Sequence, residues 1–302
     1  MGPEIIATLR GVHHHYGPVH ALRGIDLEVR RGEVLAVLGP NGAGKTTAIS
    51  ILLGMLRAEQ GEATVFGVDP DESAVRTRRG AMLQISGLPQ VLTVREHLDL
   101  FSSYYPRTLP IAGLLSMAGL EDLEHRRFRT LSHGQKQRLM FALALAGDPE
   151  LVFFDEPTTG LDLEARRRLW DEIRSLKATG RTVVLTTHYL EEADALADRI
   201  AVIDRGRVIA EGTPAEIKSR TAGRRVRCIT ALATDALRVL PGVATVTTAG
   251  QHTELLTANP EDLVREMLAL DPTLTDLEVT GAGLEEAFLA LTGADTTHDE
   301  AA

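Results

Sequence analysis

Apolar residues follow two rhythms along this chain. Val34-Leu35-Ala36-Val37-Leu38, Leu151-Val152-Phe153-Phe154 and Thr182-Val183-Val184-Leu185-Thr186 are short continuous runs. Runs of that kind read as strands buried on both faces of a parallel sheet. Other stretches show helical spacing: Thr46 to about Leu56, Glu164 to Ala178 closed by Gly180, and Leu190 to Leu196. Residues 5–30 alternate apolar runs with the turn signals Gly17-Pro18 and Arg31-Gly32, which predicts an antiparallel edge sheet. Residues 81–85 form a short strand candidate. Residues 87–147 turn helical, opening on the capping box Thr93-Val94-Arg95-Glu96 and broken by Pro106 and Pro110. Ile200–Ile203 and Arg207–Ala210 flank Asp204-Arg205-Gly206 as a hairpin.

A different order begins near residue 223. Strands at 225–232, 243–248, 252–258 and 274–279 alternate with helices at 235–240 and 260–270, the latter opening on Pro260. This β-α-β-β-α-β order predicts a small split βαβ, ferredoxin-like module. A last helix, 284–291, carries Leu284, Phe288 and Leu291 on one face. The expected organisation is an α/β domain over 1–222, an α+β module over 223–292 and a flexible tail over 293–302.

Composition narrows the classes. The 302 residues are 44% hydrophobic, enough for a large core plus a small second one. The single cysteine, Cys228, permits no internal disulfide and fits a reducing compartment. Met1–Arg10 has no basic-then-apolar leader pattern, and no apolar run approaches the ~20 residues that cross a bilayer. The chain therefore reads as soluble or peripherally attached. The net charge of −10 is uneven: Arg224–Ala302 holds 5 basic and 13 acidic residues, a net of −8. Such acidity argues against nucleic acid as the main partner.

The strongest chemical signal is Gly39-Pro40-Asn41-Gly42-Ala43-Gly44-Lys45-Thr46-Thr47, directly after an apolar strand. This is a phosphate-binding loop. Backbone amides and the following helix N-terminus cradle phosphates. Gly39, Gly42 and Gly44 allow the backbone angles and close approach this needs. Lys45 is expected to reach the β- and γ-phosphates, and Thr46 to offer its hydroxyl to Mg²⁺. Asp155-Glu156 ends the Leu151–Phe154 run, at the strand end where open α/β sheets bind ligands. Asp155 is expected to hold Mg²⁺, and Glu156 to take a proton from, or orient, the attacking water. His13-His14-His15 are consecutive and so ill-suited to converge on one metal ion.

Leu131-Ser132-His133-Gly134-Gln135 is weak alone, because a serine before a helix is usually an N-cap. With the loop and the paired carboxylates, however, the chain resembles the nucleotide-binding subunit of an ABC transporter over about its first 220 residues. The resemblance implies an ABC ATPase core with antiparallel and helical subdomains, on a P-loop NTPase fold. It also implies roles by position: Tyr16 stacking on adenine; Gln84 sensing Mg²⁺ and the γ-phosphate; Ser132, His133, Gly134 and Gln135 as the signature; Asp162 crossing to a partner subunit; His188 on the γ-phosphate. His133 departs from the family's usual glycine, and is expected to point away from phosphate with hydrolysis kept. Slower or pH-dependent turnover would follow from a titrating imidazole there.

Thr187-His188-Tyr189-Leu190-Glu191-Glu192-Ala193-Asp194 and Leu284–Gly293 resemble the ATPases of ABC-2 type exporters, including daunorubicin-resistance-like drug exporters. That resemblance implies two copies sandwiching two Mg·ATP, driving a separate ABC-2 type permease. The protein would then sit at the cytoplasmic face of the cell membrane, reaching it only through the permease, which 87–147 would dock. The alternative, a soluble ABC ATPase of translation or DNA maintenance, fits less well. Such proteins fuse two ATPase domains or insert long coiled coils between loop and signature, and here only the stretch from Gly44 to Leu131 intervenes. A degenerate, non-enzymatic scaffold requires a broken motif, and only His133 qualifies.

Overall fold

The structure, a computed structural model, describes residues 4–83, 87–219, 223–281 and 283–293. The chain divides into two compact units, Met1–Thr213 and Pro214–Ala302.

The first unit runs β1 (Ile5–Tyr16), β2 (Val19–Arg30), β3 (Val34–Leu38), α1 (Lys45–Leu52), β4 (Gln60–Val65), α2 (Ser73–Arg76), β5 (Arg79–Met82) and α3 (Val94–Ser102). It continues through α4 (Ile111–Ala118), α5 (His133–Leu145), β6 (Leu151–Asp155), α6 (Leu163–Ala178), β7 (Thr182–Thr186), α7 (Leu190–Leu196), β8 (Arg199–Asp204) and β9 (Arg207–Gly212). One sheet has the order β5-β6-β7-β3-β8-β9, parallel except for β9. Every residue of β3, β6 and β7 is buried, which is why their sequences carry no alternation. The second sheet, β2-β1-β4, is antiparallel.

Helix α1 joins the two sheets. Ile49, Ile51 and Leu52 belong to one core with Leu9, Leu22 and Ile25 from the antiparallel sheet and Leu35, Val37 and Phe153 from the parallel one. The turn before α1 is thereby held from both sides. The helix ends at Leu52, short of the expected Leu56, because Gly54 adopts φ +60° and its N–H caps the Ile51 carbonyl.

Strand β4 had no signal in the sequence. It begins Gln60-Gly61-Glu62, polar and exposed, and exists because β1 offers it a free edge with Ala7 opposite Val65. Gly61 sits at φ +85°, and a β-carbon there would lie 2.3 Å from the Gly11 carbonyl oxygen. The expected strand 81–85 is instead β5, at 79–82; its later part lies outside the described residues. Over 87–147 the chain forms α3, α4 and α5, with the Thr93/Glu96 capping box formed. Phe141 of α5 stacks on Phe154 of β6 at 5.2 Å between centroids.

An ionic cluster ties β8 to β2, β9 and the turn before β3. Arg199 reaches Glu33 at 2.6 and 2.8 Å, the Glu28 carbonyl at 3.1 Å, and Glu211. Arg199→Met leaves the Glu33 carboxylate buried without its cation, so stability falls by about 3–5 kcal/mol. Chemical denaturation of the wild type and variant checks this; a loss under ~1 kcal/mol counts against a desolvated pair.

The second unit contains α8 (Pro214–Ser219), β10 (Arg224–Ile229), α9 (Thr234–Arg238), β11 (Val243–Ala249), β12 (His252–Thr257), α10 (Pro260–Leu270), β13 (Thr275–Gly281) and α11 (Leu284–Thr292). Its sheet order is β11-β12-β10-β13, antiparallel throughout, which is the ferredoxin-like arrangement of a β-α-β-β-α-β chain. Val226, Cys228, Leu237, Leu255, Leu263 and Met267 form the core, and burial pushes the Cys228 thiol up. The division falls after Thr213, earlier than residue 222, because α8 packs on α11 of this unit. Gly293 ends α11 at φ +61°; the rest of the expected tail lies outside the described residues. No described helix is long and apolar enough to cross a membrane.

Candidate active site

The loop Gly39–Gly44 leaves β3 and enters α1. Gly39 and Gly44 are glycines by necessity. A β-carbon at Gly39 would lie 2.2 Å from the Ile203 carbonyl oxygen, and one at Gly44 would lie 2.7 Å from that of Ala21. Gly44 also holds φ +107°, and Gly42 φ +78°. Pro40 and Ala43 close a turn, Ala43 N–H donating to the Pro40 carbonyl at 3.2 Å, and Asn41 lies exposed at its tip. Thr47 is buried on the inner face of α1.

Lys45 is 7% exposed. Its Nζ donates to the carbonyls of Gly39 at 2.7 Å and Pro40 at 3.0 Å, so the cation folds back over its own loop. Burial lowers its pKa, and the Glu156 and Asp155 carboxylates pull the other way. Strand order sets the acidic partners opposite this loop, with β7 between β3 and β6. Asp155 Oδ2 accepts from Thr46 Oγ1 at 3.4 Å, and Asp155 Oδ1 accepts from Thr186 Oγ1. Burial raises the Asp155 pKa, with the Thr186 hydroxyl opposing it. Thr186 escaped the sequence reading; the only signal was a polar residue closing an apolar strand.

Glu156 follows at φ +50°, a left-handed conformation that non-glycine residues rarely hold. Its N–H donates to the Thr186 carbonyl at 3.0 Å, and its Oε2 accepts from Thr159 Oγ1 at 3.3 Å. Its Oε1 stands 3.3 Å from His188 Nδ1. The fold thus gathers Lys45, Thr46, Asp155, Glu156 and His188, from segments following β3, β6 and β7. A buried cation, an amide-lined turn too tight for side chains and a hydroxyl–carboxylate pair suit a phosphate chain with a hard cation.

The other expected residues lie elsewhere on the unit. Ser132, His133, Gly134 and Gln135 begin α5, where Ser132 and Gln135 form a reciprocal capping box at 3.2 and 2.9 Å. Asp162 caps α6, its Oδ1 accepting from Ala165 N–H at 2.8 Å. These residues line one cavity of about 530 Å³, together with Arg138, Gly160 and Arg168. None of Gly39–Thr47, Asp155, Glu156 or His188 lines it. The His133 ring rests on Gly160: a β-carbon at Gly160 would lie 2.5 Å from His133 Cδ2. Tyr16 closes β1, 49% exposed, with its ring edge-on to His14 at 4.9 Å. His13 and His15 stack on His20, and no group of three metal-ligating side chains occurs among the described residues. Gln84 lies outside the described residues.

The chain is similar to known proteins along most of its length. The family described as ABC transporter matches residues 22–159. The daunorubicin resistance ATP-binding protein DrrA3 of Streptomyces coeruleorubidus is 41% identical, covering 98% of each chain. The Nod factor export ATP-binding protein I of Ralstonia nicotianae is 37% identical over 97% of this chain and 95% of its own. Among solved structures, the ATP-binding subunit of an ABC transporter superposes with a TM-score of 0.65 at 29% identity, covering 71% of this chain and 92% of its own. A dimeric bacterial ABC transporter cassette superposes at 0.64 and 27%, covering 69% and 98%.

Proposed function

We propose, on the premise that this chain belongs to the ABC transporter ATP-binding family, that it hydrolyses ATP as the energy-coupling subunit of a membrane exporter. The observation that carries the mechanism is the division of the site. One chain holds a phosphate loop with its carboxylates in one place and a signature cavity in another. Two copies arranged head to tail would bring each loop against the other's signature and enclose two ATP molecules. Dimeric cassettes among the structural neighbours support that arrangement.

Each proposed role follows from a position. The loop amides and Lys45 bind the phosphates and stabilise charge as the γ-phosphoryl group leaves. Thr46 and Asp155 would hold Mg²⁺, which when bound neutralises phosphate charge; Gln84 is proposed to complete that set. Glu156 takes a proton from the water whose oxygen attacks the γ-phosphorus, as the bond to the ADP oxygen breaks. His188, 3.3 Å from Glu156, is the proposed contact to the same γ-phosphate. Tyr16 is the proposed adenine platform, and Asp162 the residue that reaches the partner copy.

The proposed partner is an ABC-2 type permease docked on 87–147, with a drug or other hydrophobic compound as cargo. That places the protein at the cytoplasmic face of the cell membrane, attached through the permease. Similarity to export proteins along nearly the whole chain supports this over a role in translation or DNA maintenance. Affinity purification from native membranes, followed by peptide identification, tests it. A stoichiometric multi-span permease is expected. Recovery of an active ATPase with no membrane partner would overturn the transport assignment.

A further inference from the structure

Glu192 is more deeply buried than Asp155, at 0% against 4% exposure. It occupies the third residue of α7, where an acidic side chain ordinarily turns back to cap free amides. Here it turns inward, and Oε1 accepts from Trp170 Nε1 of α6 at 3.1 Å. The Thr187 and Thr158 hydroxyls also stand against the carboxyl. Neither Oε2 nor Thr158 Oγ1 completes a well-formed hydrogen bond. Burial pushes the Glu192 pKa up, with the hydroxyls and the indole opposing it.

The segments that meet at this carboxyl carry the hydrolytic groups. Thr158 lies in the turn that begins at Glu156, closed by Thr159 N–H to the Glu156 carbonyl at 3.3 Å. Thr187 precedes His188, and its hydroxyl accepts from Tyr189 N–H at 2.9 Å. The Tyr189 ring lies 4.1 Å from that of His188, and Arg166 of α6, one turn before Trp170, covers its face at 4.6 Å. A hydrocarbon side chain would fill such a buried site at lower cost than a carboxyl. What a carboxyl adds is direction: one oxygen is fixed by the Trp170 indole, and the group faces the Thr158 and Thr187 hydroxyls.

We propose that Glu192 is a positioning residue for ATP hydrolysis, tying the Thr158 turn that presents Glu156 to the Thr187 turn that presents His188. The inference rests on the hydrolytic reading of those two residues.

The test uses the full chain with ATP and Mg²⁺. Glu192→Leu keeps the volume and removes the polar atoms. It lowers kcat roughly tenfold while KM for ATP stays within about twofold, since misplacing a reacting group costs rate before binding. Glu192→Gln can still accept from Trp170 and donate to Thr158, and recovers most of that rate. Trp170 is the single tryptophan of the sequence, so its emission reads the same contact directly. The emission shifts in Glu192→Leu and returns towards the wild-type spectrum in Glu192→Gln.

If Glu192→Leu fails to fold, Thr158→Val removes one hydroxyl without changing volume and is expected to lower kcat in the same way. Wild-type kcat in the folded variant overturns the proposal, as does equal loss in the Gln and Leu variants. A wild-type protein that hydrolyses no ATP, alone or with its membrane partner, overturns the hydrolytic reading and this proposal with it.

Discussion

Glu156→Gln slows ATP hydrolysis by roughly a hundredfold or more, the scale expected when a general base is removed. ATP binding survives, because the amide keeps the volume of the acid and the phosphate loop is untouched. The backbone reason is specific. Glu156 holds φ +50° through its N–H to the Thr186 carbonyl at 3.0 Å, and that bond does not involve the side chain. The Thr159 hydroxyl at 3.3 Å can donate to an amide oxygen as it does to the carboxylate. The capacity to take a proton is lost, together with the carboxylate charge that acts on Lys45. With hydrolysis stalled, ATP should hold two copies together, so a dimer accumulates on size-exclusion chromatography in ATP and Mg²⁺. Phosphate release measured at saturating ATP is the direct check. Wild-type turnover would remove Glu156 from the assignment.

Lys45→Ala loses ATP affinity, where Glu156→Gln keeps it. The ammonium is buried, and burial already depresses its pKa against the pull of Glu156 and Asp155. A partly desolvated cation interacts strongly with phosphate, and one charge-assisted hydrogen bond contributes about 1.5–3 kcal/mol. At about 1.4 kcal/mol per decade, affinity falls roughly ten- to a hundredfold. Calorimetric titration with a non-hydrolysable ATP analogue measures it. Nζ leaves two acceptors behind, the carbonyls of the buried Gly39 and the exposed Pro40, so a wild-type far-ultraviolet dichroism spectrum is the control for folding. Unchanged affinity would show that the amides alone bind the phosphates, contrary to the proposed role of Lys45.

Much of the architecture was legible in the sequence where the cause is local. β3, β6 and β7 were visible because a strand buried on both faces cannot hide its composition. The six elements of the ferredoxin-like unit were visible because turn residues and periodicity change together at each boundary. β4 was not, since Gln60, Gly61 and Glu62 carry no apolar pattern and the strand forms only on the edge of β1. Nor was the end of the first unit, because α8 is assigned by its packing on α11 rather than by the residues around it.

The same division holds at the site. The phosphate loop is a backbone device, and its glycines and Lys45 are dictated by short-range geometry, so the sequence alone determined its presence and place after β3. Gly39 illustrates the limit: its need for a missing side chain comes from the Ile203 carbonyl, far along the chain. Only the tertiary structure brought Asp155 within reach of Thr46, through the strand order that sets β7 between β3 and β6. Only it rested His133 on Gly160, turned Glu192 inward to Trp170, and kept the signature cavity apart from Lys45. Those relations depend on contacts between distant segments, and local composition carries no record of which segments will meet.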